Sequence, residues 1–215
     1  KPGRAAIVHV CQIPRMKRNG EVGLHDFRGM NIRLGERAGL IYEYDWTVRK
    51  NPQSQALRTR SRELQFAGLE SNRAKTRGTL NDYLIKFRKA GDTESSISAK
   101  GQVSRNQWID WAEGCWMDIQ ETDTLNTKEA KSEDDTKHIC PLQFDIIERL
   151  ITRYSNKGEL VCDPFGGLFS TAYKALEMGR RCVSIELNSE YYKDGLFYVN
   201  SMNHKITTPT LFDFV

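Results

Sequence analysis

Short apolar runs bounded by turn residues are the first feature of this chain. Runs over 5–10, 40–48 and 82–87 each end at charged, proline or glycine positions, which predicts three buried strands. Between the first two runs, residues 27–38 carry apolar side chains at helical spacing and stop at Gly39, which predicts a helix. The polar stretch 91–135 contains Trp108, Trp111 and Trp116 and is predicted to be an irregular insertion.

Regular structure is predicted again from residue 141. Residues 141–154 place Leu142, Ile146, Ile147, Leu150 and Ile151 on one helical face, with Pro141 suited to the first turn. A strand over 160–162, a glycine turn, a helix over about 169–178, a strand over 182–187 and a helix over 189–202 follow. Alternating strands and helices predict the α/β class.

The turn between strands 160–162 and 182–187 carries the first functional signal. Gly166 and Gly167 let a backbone approach a ligand closely, and Glu186 ends the second strand with a carboxylate. Rossmann-like folds hold adenosine in this way, because the acid accepts hydrogen bonds from the ribose hydroxyls. A Rossmann-like oxidoreductase is disfavoured, since the turn is not G-x-G-x-x-G.

Charge is unevenly distributed along the chain. Residues 46–90 contain eleven Lys and Arg against three acids, a net charge of +8, whereas the whole chain carries +4. Such a block predicts a surface for a polyanion such as DNA, with a solvated charged face as the alternative. The DNA-binding candidates are Arg49, Lys50, Arg58, Arg60, Arg62, Arg73, Lys75 and Arg77.

Composition narrows the class of protein. The mean hydropathy is −0.60, and no run approaches the roughly 18 apolar residues of a membrane span. The five cysteines form no CxxC pair, which favours a reducing compartment over disulfides or a zinc site. With no secretory signal visible, a cytoplasmic protein without a metal is expected.

Several motifs together resemble one family, the amino-group DNA methyltransferases that use S-adenosyl-L-methionine, in the permuted β class. The resemblance covers nearly the whole chain, in the family's order. It rests on six segments: Lys1-Pro2-Gly3, Trp46–Pro52, His138–Pro141, Asp163-Pro164-Phe165-x-Gly167, Ile185–Asn188 and Tyr191-Tyr192. It implies a Rossmann-like three-layer α/β sandwich with a mostly parallel sheet and an inserted target-recognition region.

The resemblance also implies an enzyme of bacterial or phage type, as in restriction-modification. It would methylate an exocyclic amine of double-stranded DNA, adenine N6 in preference to cytosine N4, by base flipping. Its parts would be a catalytic portion (1–52), a basic and target-recognition portion (53–137), a cofactor portion (138–206) and a tail (207–215). The cofactor-binding residues it implies are Asp163, Phe165, Gly166, Gly167, Ser170, Thr171, Glu186, Asn188, His138, Ile139 and Pro141.

Two departures from the family pattern bear on activity. Phe169 stands where the family has a second glycine, so its ring either crowds the cofactor or points into the core. The family's Asp/Asn/Ser-Pro-Pro-aromatic tetrapeptide, which binds the target amine, is expected before the region where this chain begins. The six prolines include no Pro-Pro pair, so the chain by itself is expected to be inactive.

Partners are less well defined by the sequence. The possible partners are a second copy of the chain, forming a homodimer, or a second methyltransferase subunit, and residues 208–214 are a candidate for docking to a sliding clamp. The main alternative to an enzyme is a non-catalytic, methyltransferase-like module that binds DNA or a partner. The three tryptophans either stack on bases or pack in a small core, and core packing is preferred.

Overall fold

The computed structural model describes residues 1–15, 23–59, 77–93, 95–125 and 141–208. The chain divides into two compact units. Unit 1 comprises Lys1–Ser96 and Arg105–Ile119, and unit 2 comprises Ile97–Ser104 and Gln120–Val215. None of the described helices combines the length and the apolar composition needed to cross a membrane.

The elements of unit 1 are β1 (Ala5–Cys11), β2 (Ile13–Arg15), β3 (Gly23–His25), α1 (Phe27–Arg37), β4 (Leu40–Val48), α2 (Pro52–Thr59), β5 (Asp82–Lys89), α3 (Arg105–Asp110) and β6 (Cys115–Trp116). The unit contains a four-stranded sheet in the order β1-β5-β4-β6 and a separate β2–β3 ladder. Val10, Ile85 and Phe87 form one buried cluster of this unit, and Phe27 and Ile32 of α1 pack against it. The predicted strands over 5–10, 40–48 and 82–87 are therefore confirmed.

Part of the stretch predicted to be irregular is ordered in unit 1. Residues 105–116 include α3 and β6, and β6 pairs in parallel with β4. Trp116 is 1 % exposed and its ring centroid lies 5.2 Å from that of Trp46, while Trp111 is buried and Trp108 is exposed. Core packing, the preferred interpretation, therefore describes Trp111 and Trp116.

Unit 2 contains the glycine turn between two parallel strands. Its elements are α4 (Phe144–Tyr154), β7 (Leu160–Asp163), α5 (Ser170–Glu177), β8 (Arg181–Ser184) and α6 (Ser189–Thr207). Ile147, Ile151 and Ala175 form the core between the helices and one face of the β7–β8 pair, where Val161 and Cys182 pack against them. The α/β class is confirmed. Parallel pairing is found in β7–β8 and β4–β6, whereas β5 is antiparallel to β1 and to β4.

Three predicted boundaries in unit 2 are wrong. Helix α4 begins at Phe144 and not at Pro141, because Gln143 is extended (φ −64°, ψ 138°) and the Phe144 N–H donates to Asp123 O at 2.9 Å. Strand β8 ends at Ser184 and not at Leu187, since its partner β7 ends at Asp163. Helix α6 continues to Thr207, five residues beyond the predicted end.

Candidate cofactor site at the glycine turn

The glycine turn joins the end of β7 to the start of α5 and is held by backbone bonds to the end of β8. The Gly166 N–H donates to Ile185 O at 2.8 Å, and the Ile185 N–H donates to Asp163 O at 3.0 Å. Asp163 also accepts the Phe165 N–H through Oδ1 at 3.1 Å. The turn is therefore fixed at both strand ends, as expected of a site at the carboxyl edge of a parallel sheet.

Gly167 supplies the conformational freedom of the turn. Its φ is +52°, in the left-handed region that favours glycine, and a Cβ built on it would meet no atom of the described residues within 4 Å. The backbone of Gly167 therefore borders open space. A ligand can approach the main chain there without meeting a side chain.

The Glu186 carboxylate connects the two sides of the turn. Its Oε2 accepts the Gly167 N–H at 2.8 Å and its Oε1 accepts the Asn188 N–H at 2.8 Å. Each carboxylate oxygen has a second lone pair, and Glu186 is half-buried, so both oxygens retain capacity for ligand hydroxyls. The residues present therefore fit a ribose beside an exposed main-chain turn.

Two apolar side chains stand in solvent beside these polar groups. Phe165 is 89 % exposed next to Gly166, and Leu187 is 97 % exposed next to Glu186. Large apolar side chains exposed to this degree mark a surface that is covered when a flat ligand or partner binds. Leu187 was not among the predicted cofactor-binding residues, because it was assigned to the strand over 182–187. The only signal was its place directly after the acid.

The other predicted cofactor residues have more ordinary surroundings. Asn188 is the N-cap of α6, and its Oδ1 accepts the N–H groups of Glu190 and Tyr191 at 2.9 and 3.1 Å. Ser170 is buried at the start of α5, Thr171 follows it half-buried, and Pro141 is half-buried. His138 and Ile139 lie outside the described residues. Cofactor contact by these residues stays a prediction.

Phe169 closes the turn in an unusual backbone conformation. It has φ +62° and ψ 34°, and its ring is 4 % exposed. The structure thus places the ring in the core, one of the two orientations that the sequence left open.

The predicted DNA-binding residues are only partly described. Arg49 is exposed, and Arg77 is half-buried and donates through Nη1 to Gly78 O at 3.0 Å. Lys50 is 5 % exposed, with its Nζ 2.7 Å from Asp82 Oδ2, so it reaches DNA only if that pair opens. The side chains of Arg58, Arg60, Arg62, Arg73 and Lys75 lie outside the described residues. DNA contact by this block stays a prediction.

No metal centre accompanies the turn in the part of the chain that the structure describes: it contains no cluster of three or more His, Cys, Asp or Glu side chains that could hold an ion.

Comparison with known proteins places the chain in a family. The family model for N6/N4-type DNA methylases matches residues 17–197. The chain belongs to the N6/N4 DNA methylase family. The resemblance predicted from the motifs is thereby confirmed.

Two curated relatives of this methylase match in short segments. The DNA adenine methyltransferase YhdJ of Escherichia coli K12 is 42% identical over 59 residues, which cover 27% of this chain and 20% of the relative. The type II methyltransferase M1.MboII of Moraxella bovis is 38% identical over 65 residues, which cover 30% of this chain and 25% of the relative. The matched segments span only a fifth to a quarter of these relatives.

Two solved structures match over nearly the whole methylase chain. TTHA0409 of Thermus thermophilus, described as a DNA modification methylase and complexed with S-adenosyl-L-methionine, gives a TM-score of 0.70 at 17% identity and covers 94% of this chain and 70% of its own. The cytosine-N4-specific PvuII DNA methyltransferase gives 0.63 at 17% identity, covering 96% and 71%. At this identity the likeness shows the fold, and the predicted Rossmann-like α/β architecture is confirmed.

Proposed function

We propose that this chain is the cofactor-binding and DNA-binding part of an S-adenosyl-L-methionine-dependent DNA methyltransferase that modifies an exocyclic amine. The observation that carries the proposal is the Glu186 carboxylate, which bridges Gly167 and Asn188 at the open side of the turn. Membership of the N6/N4 methylase family and the complex of TTHA0409 with the same cofactor support it.

The residues of the turn divide the work of binding. Glu186 accepts the ribose hydroxyls, the Gly167 backbone borders the methionine portion, and the exposed Phe165 and Leu187 side chains cover the adenine. Asp163 holds the turn through the Phe165 N–H. The cofactor supplies an electrophilic methyl group on a sulfonium, and the acceptor is an amine of a base flipped out of the duplex.

Adenine N6 is the proposed acceptor, with cytosine N4 as the variant. A delocalised exocyclic amine is a poor nucleophile, so the enzyme must position it for in-line attack, and positioning needs polar and aromatic groups around the flipped base. The 215 residues contain no Pro-Pro-aromatic tetrapeptide that would supply them. The chain by itself is therefore proposed to bind cofactor and DNA without transferring the methyl group.

A second candidate is a non-catalytic, methyltransferase-like module that binds DNA or a protein partner, and the lack of a Pro-Pro pair favours it. For the methyltransferase and for the non-catalytic module alike, the proposed site of action is the cytoplasm. A second copy, a second methyltransferase subunit or a sliding clamp at the 208–214 tail remain proposals, and residues 209–215 lie outside the described part of the chain.

The test combines binding with product analysis. The chain is titrated with S-adenosyl-L-methionine and with duplex DNA, and DNA treated with both is digested for analysis of methylated nucleosides. The proposal predicts saturable binding of both ligands and no methylated base. N6-methyladenine or N4-methylcytosine formed by this chain would overturn the claim that it lacks the amine-binding apparatus. Failure to bind either ligand would overturn the methyltransferase assignment of the site.

A further inference from the structure

Phe169 has a backbone conformation that residues with a Cβ avoid. Among the described residues it is the only non-glycine with positive φ, and it sits at the N-cap of α5, where the glycine turn ends. A bulky residue stays in this region only when its surroundings compensate for the strain. Since the ring is 4 % exposed, the compensation comes from packing.

The ring of Phe169 is wedged between two glycines. A Cβ built on Gly166 would lie 2.6 Å from ring atoms Cδ1 and Cε1, and a Cβ built on Gly195 would lie 2.5 Å from Cδ2. The two glycines therefore face opposite edges of the ring. Tyr192 meets the ring edge-on, with centroids 5.7 Å apart and an interplanar angle of 89°.

Gly195 is otherwise hard to explain. It is buried in the interior of the 19-residue helix α6, where glycine normally weakens a helix. The slot that it leaves is filled by the Phe169 ring. One residue of the turn and one residue of the helix are thus matched in shape.

The ring also supports the bonds that hold the turn. Gly166, on one edge of the ring, donates its N–H to Ile185 O and accepts the Phe169 N–H at 2.7 Å. The next residue, Gly167, donates to Glu186. A shift of the ring would move Gly166 and, with it, the Gly167 N–H that meets the carboxylate.

We propose that Phe169 is a positioning residue of the cofactor site: its ring locks the glycine turn to helix α6 through Gly166 and Gly195, and so presents the Gly167 N–H to Glu186. The part that concerns cofactor affinity rests on the proposed function. The lock itself is a property of the protein without ligand.

The proposed lock is tested by whether Gly195→Ala raises or lowers the melting temperature. In a helix, Gly→Ala normally stabilises by about 0.5–1 kcal/mol, which for a protein of this size raises the melting temperature by about 1–4 °C. Gly195→Ala should instead lower it, because the new methyl group collides with the ring. In a Phe169→Ala background the ring is gone, and Gly195→Ala should raise the melting temperature. Gly114→Ala, outside any helix and directly before β6, is the control for an added methyl group alone, since a Cβ there meets no described atom within 4 Å and its φ is not positive.

The four proteins (parent, Gly195→Ala, Phe169→Ala and the double variant) form a double-mutant cycle that tests whether the ring and Gly195 interact. The proposed lock would be overturned if Gly195→Ala raised the melting temperature of the parent, or if it changed the melting temperature in the same direction in both backgrounds. If Gly195→Ala does not fold while the double variant does, the collision with the ring is supported. If neither folds although Phe169→Ala alone does, the ring is not what makes glycine necessary at position 195.

Positioning is tested by a second readout, amide exchange measured by NMR on the folded protein without ligand. Phe169→Ala should accelerate exchange of the Gly167 amide at least about tenfold more than that of the amides in the centre of α6. Equal acceleration of exchange at Gly167 and in the centre of α6 would show that Phe169 acts only as a core residue and does not position the turn.

A third measurement is the affinity for the cofactor. The dissociation constant for S-adenosyl-L-methionine should rise by at least about tenfold in Gly195→Ala and recover in part in the double variant. If the parent does not bind the cofactor, the proposed function fails, while exchange and melting still decide on the lock.

Discussion

A carboxylate in unit 1 joins the ends of three strands, and its removal should be costly. Asp82, at the start of β5, accepts through Oδ2 from His9 Nε2 of β1 at 2.9 Å and from the Lys50 ammonium, just after β4, at 2.7 Å. The side chains of Asp82 and Lys50 are 13 % and 5 % exposed. Asp82→Asn would leave the buried ammonium without its counter-charge.

The expected loss follows from this burial. Removing one partner of a buried ion pair costs about 3–5 kcal/mol, and the retained Asn carbonyl keeps the loss near the lower end, about 3 kcal/mol. A chain of this size loses roughly 2–4 °C in melting temperature per kcal/mol, so about 6–12 °C is expected. Tryptophan fluorescence reports on unit 1, since all four tryptophans, Trp46, Trp108, Trp111 and Trp116, lie within it.

The stability that the Asp82 carboxylate contributes depends on pH, and this dependence is a second test of the prediction. Burial by itself would raise the pKa of Asp82, but the hydrogen bonds and charges of His9 and Lys50 outweigh it and hold the pKa below its usual range. The contribution to stability is therefore complete above the unfolded pKa of about 3.9 and is lost as the pH falls through the lower folded value.

The control for this prediction is Asp110→Asn, the same chemical change at an exposed position. The gap in melting temperature between parent and Asp82→Asn should be constant near neutral pH and should narrow below about pH 4. A variant that melts within about 2 °C of the Asp110→Asn control at pH 7 would refute the argument, and so would a gap that does not change with pH.

Two further predictions concern the turn and the basic block. Phe169→Gly removes the backbone strain but also the buried ring, so a net loss of about 2–4 kcal/mol in the free energy of unfolding is expected, measured by urea titration. Unchanged stability would show that packing of the ring contributes no more than the backbone strain costs, contrary to the expected net loss. Changing Arg58, Arg60 and Arg62 together to Gln should weaken binding to duplex DNA. The slope of the logarithm of the binding constant against the logarithm of the salt concentration should become shallower, by the equivalent of up to about three phosphate contacts. A salt slope equal to that of the parent would assign these arginines to a plain solvated face.

Elements of the fold were predictable where the apolar pattern of a segment ends at the same residues as its strand pairing. Strand β4 has the predicted bounds, because its apolar run ends where Asn51-Pro52 stops the strand. Helix α4 was placed three residues too early, because the partner that takes the Phe144 N–H is Asp123, twenty-one positions away in sequence. A contact of that kind leaves no trace in the periodicity of the helix.

The candidate site was predictable in its polar part and less so in its surroundings. Motif spacing brought Gly167 and Glu186 to the same place, where they form a 2.8 Å hydrogen bond. The orientation of Phe169 depended on an empty slot at Gly195, which only the packing of α6 reveals. The pairing of Lys50 with Asp82 was equally invisible, because a lysine in a basic block is usually a solvated one.

The central claim is that Glu186 holds the ribose of S-adenosyl-L-methionine, and titration calorimetry tests it most directly. The parent chain, Glu186→Ala and the control Glu190→Ala, an exposed acid in the first turn of α6, are titrated with the cofactor. The account predicts saturable binding by the parent and the control, and a loss of about 1.5–3 kcal/mol in Glu186→Ala, roughly ten- to a hundredfold in Kd. Binding by Glu186→Ala as tight as by the parent would contradict it.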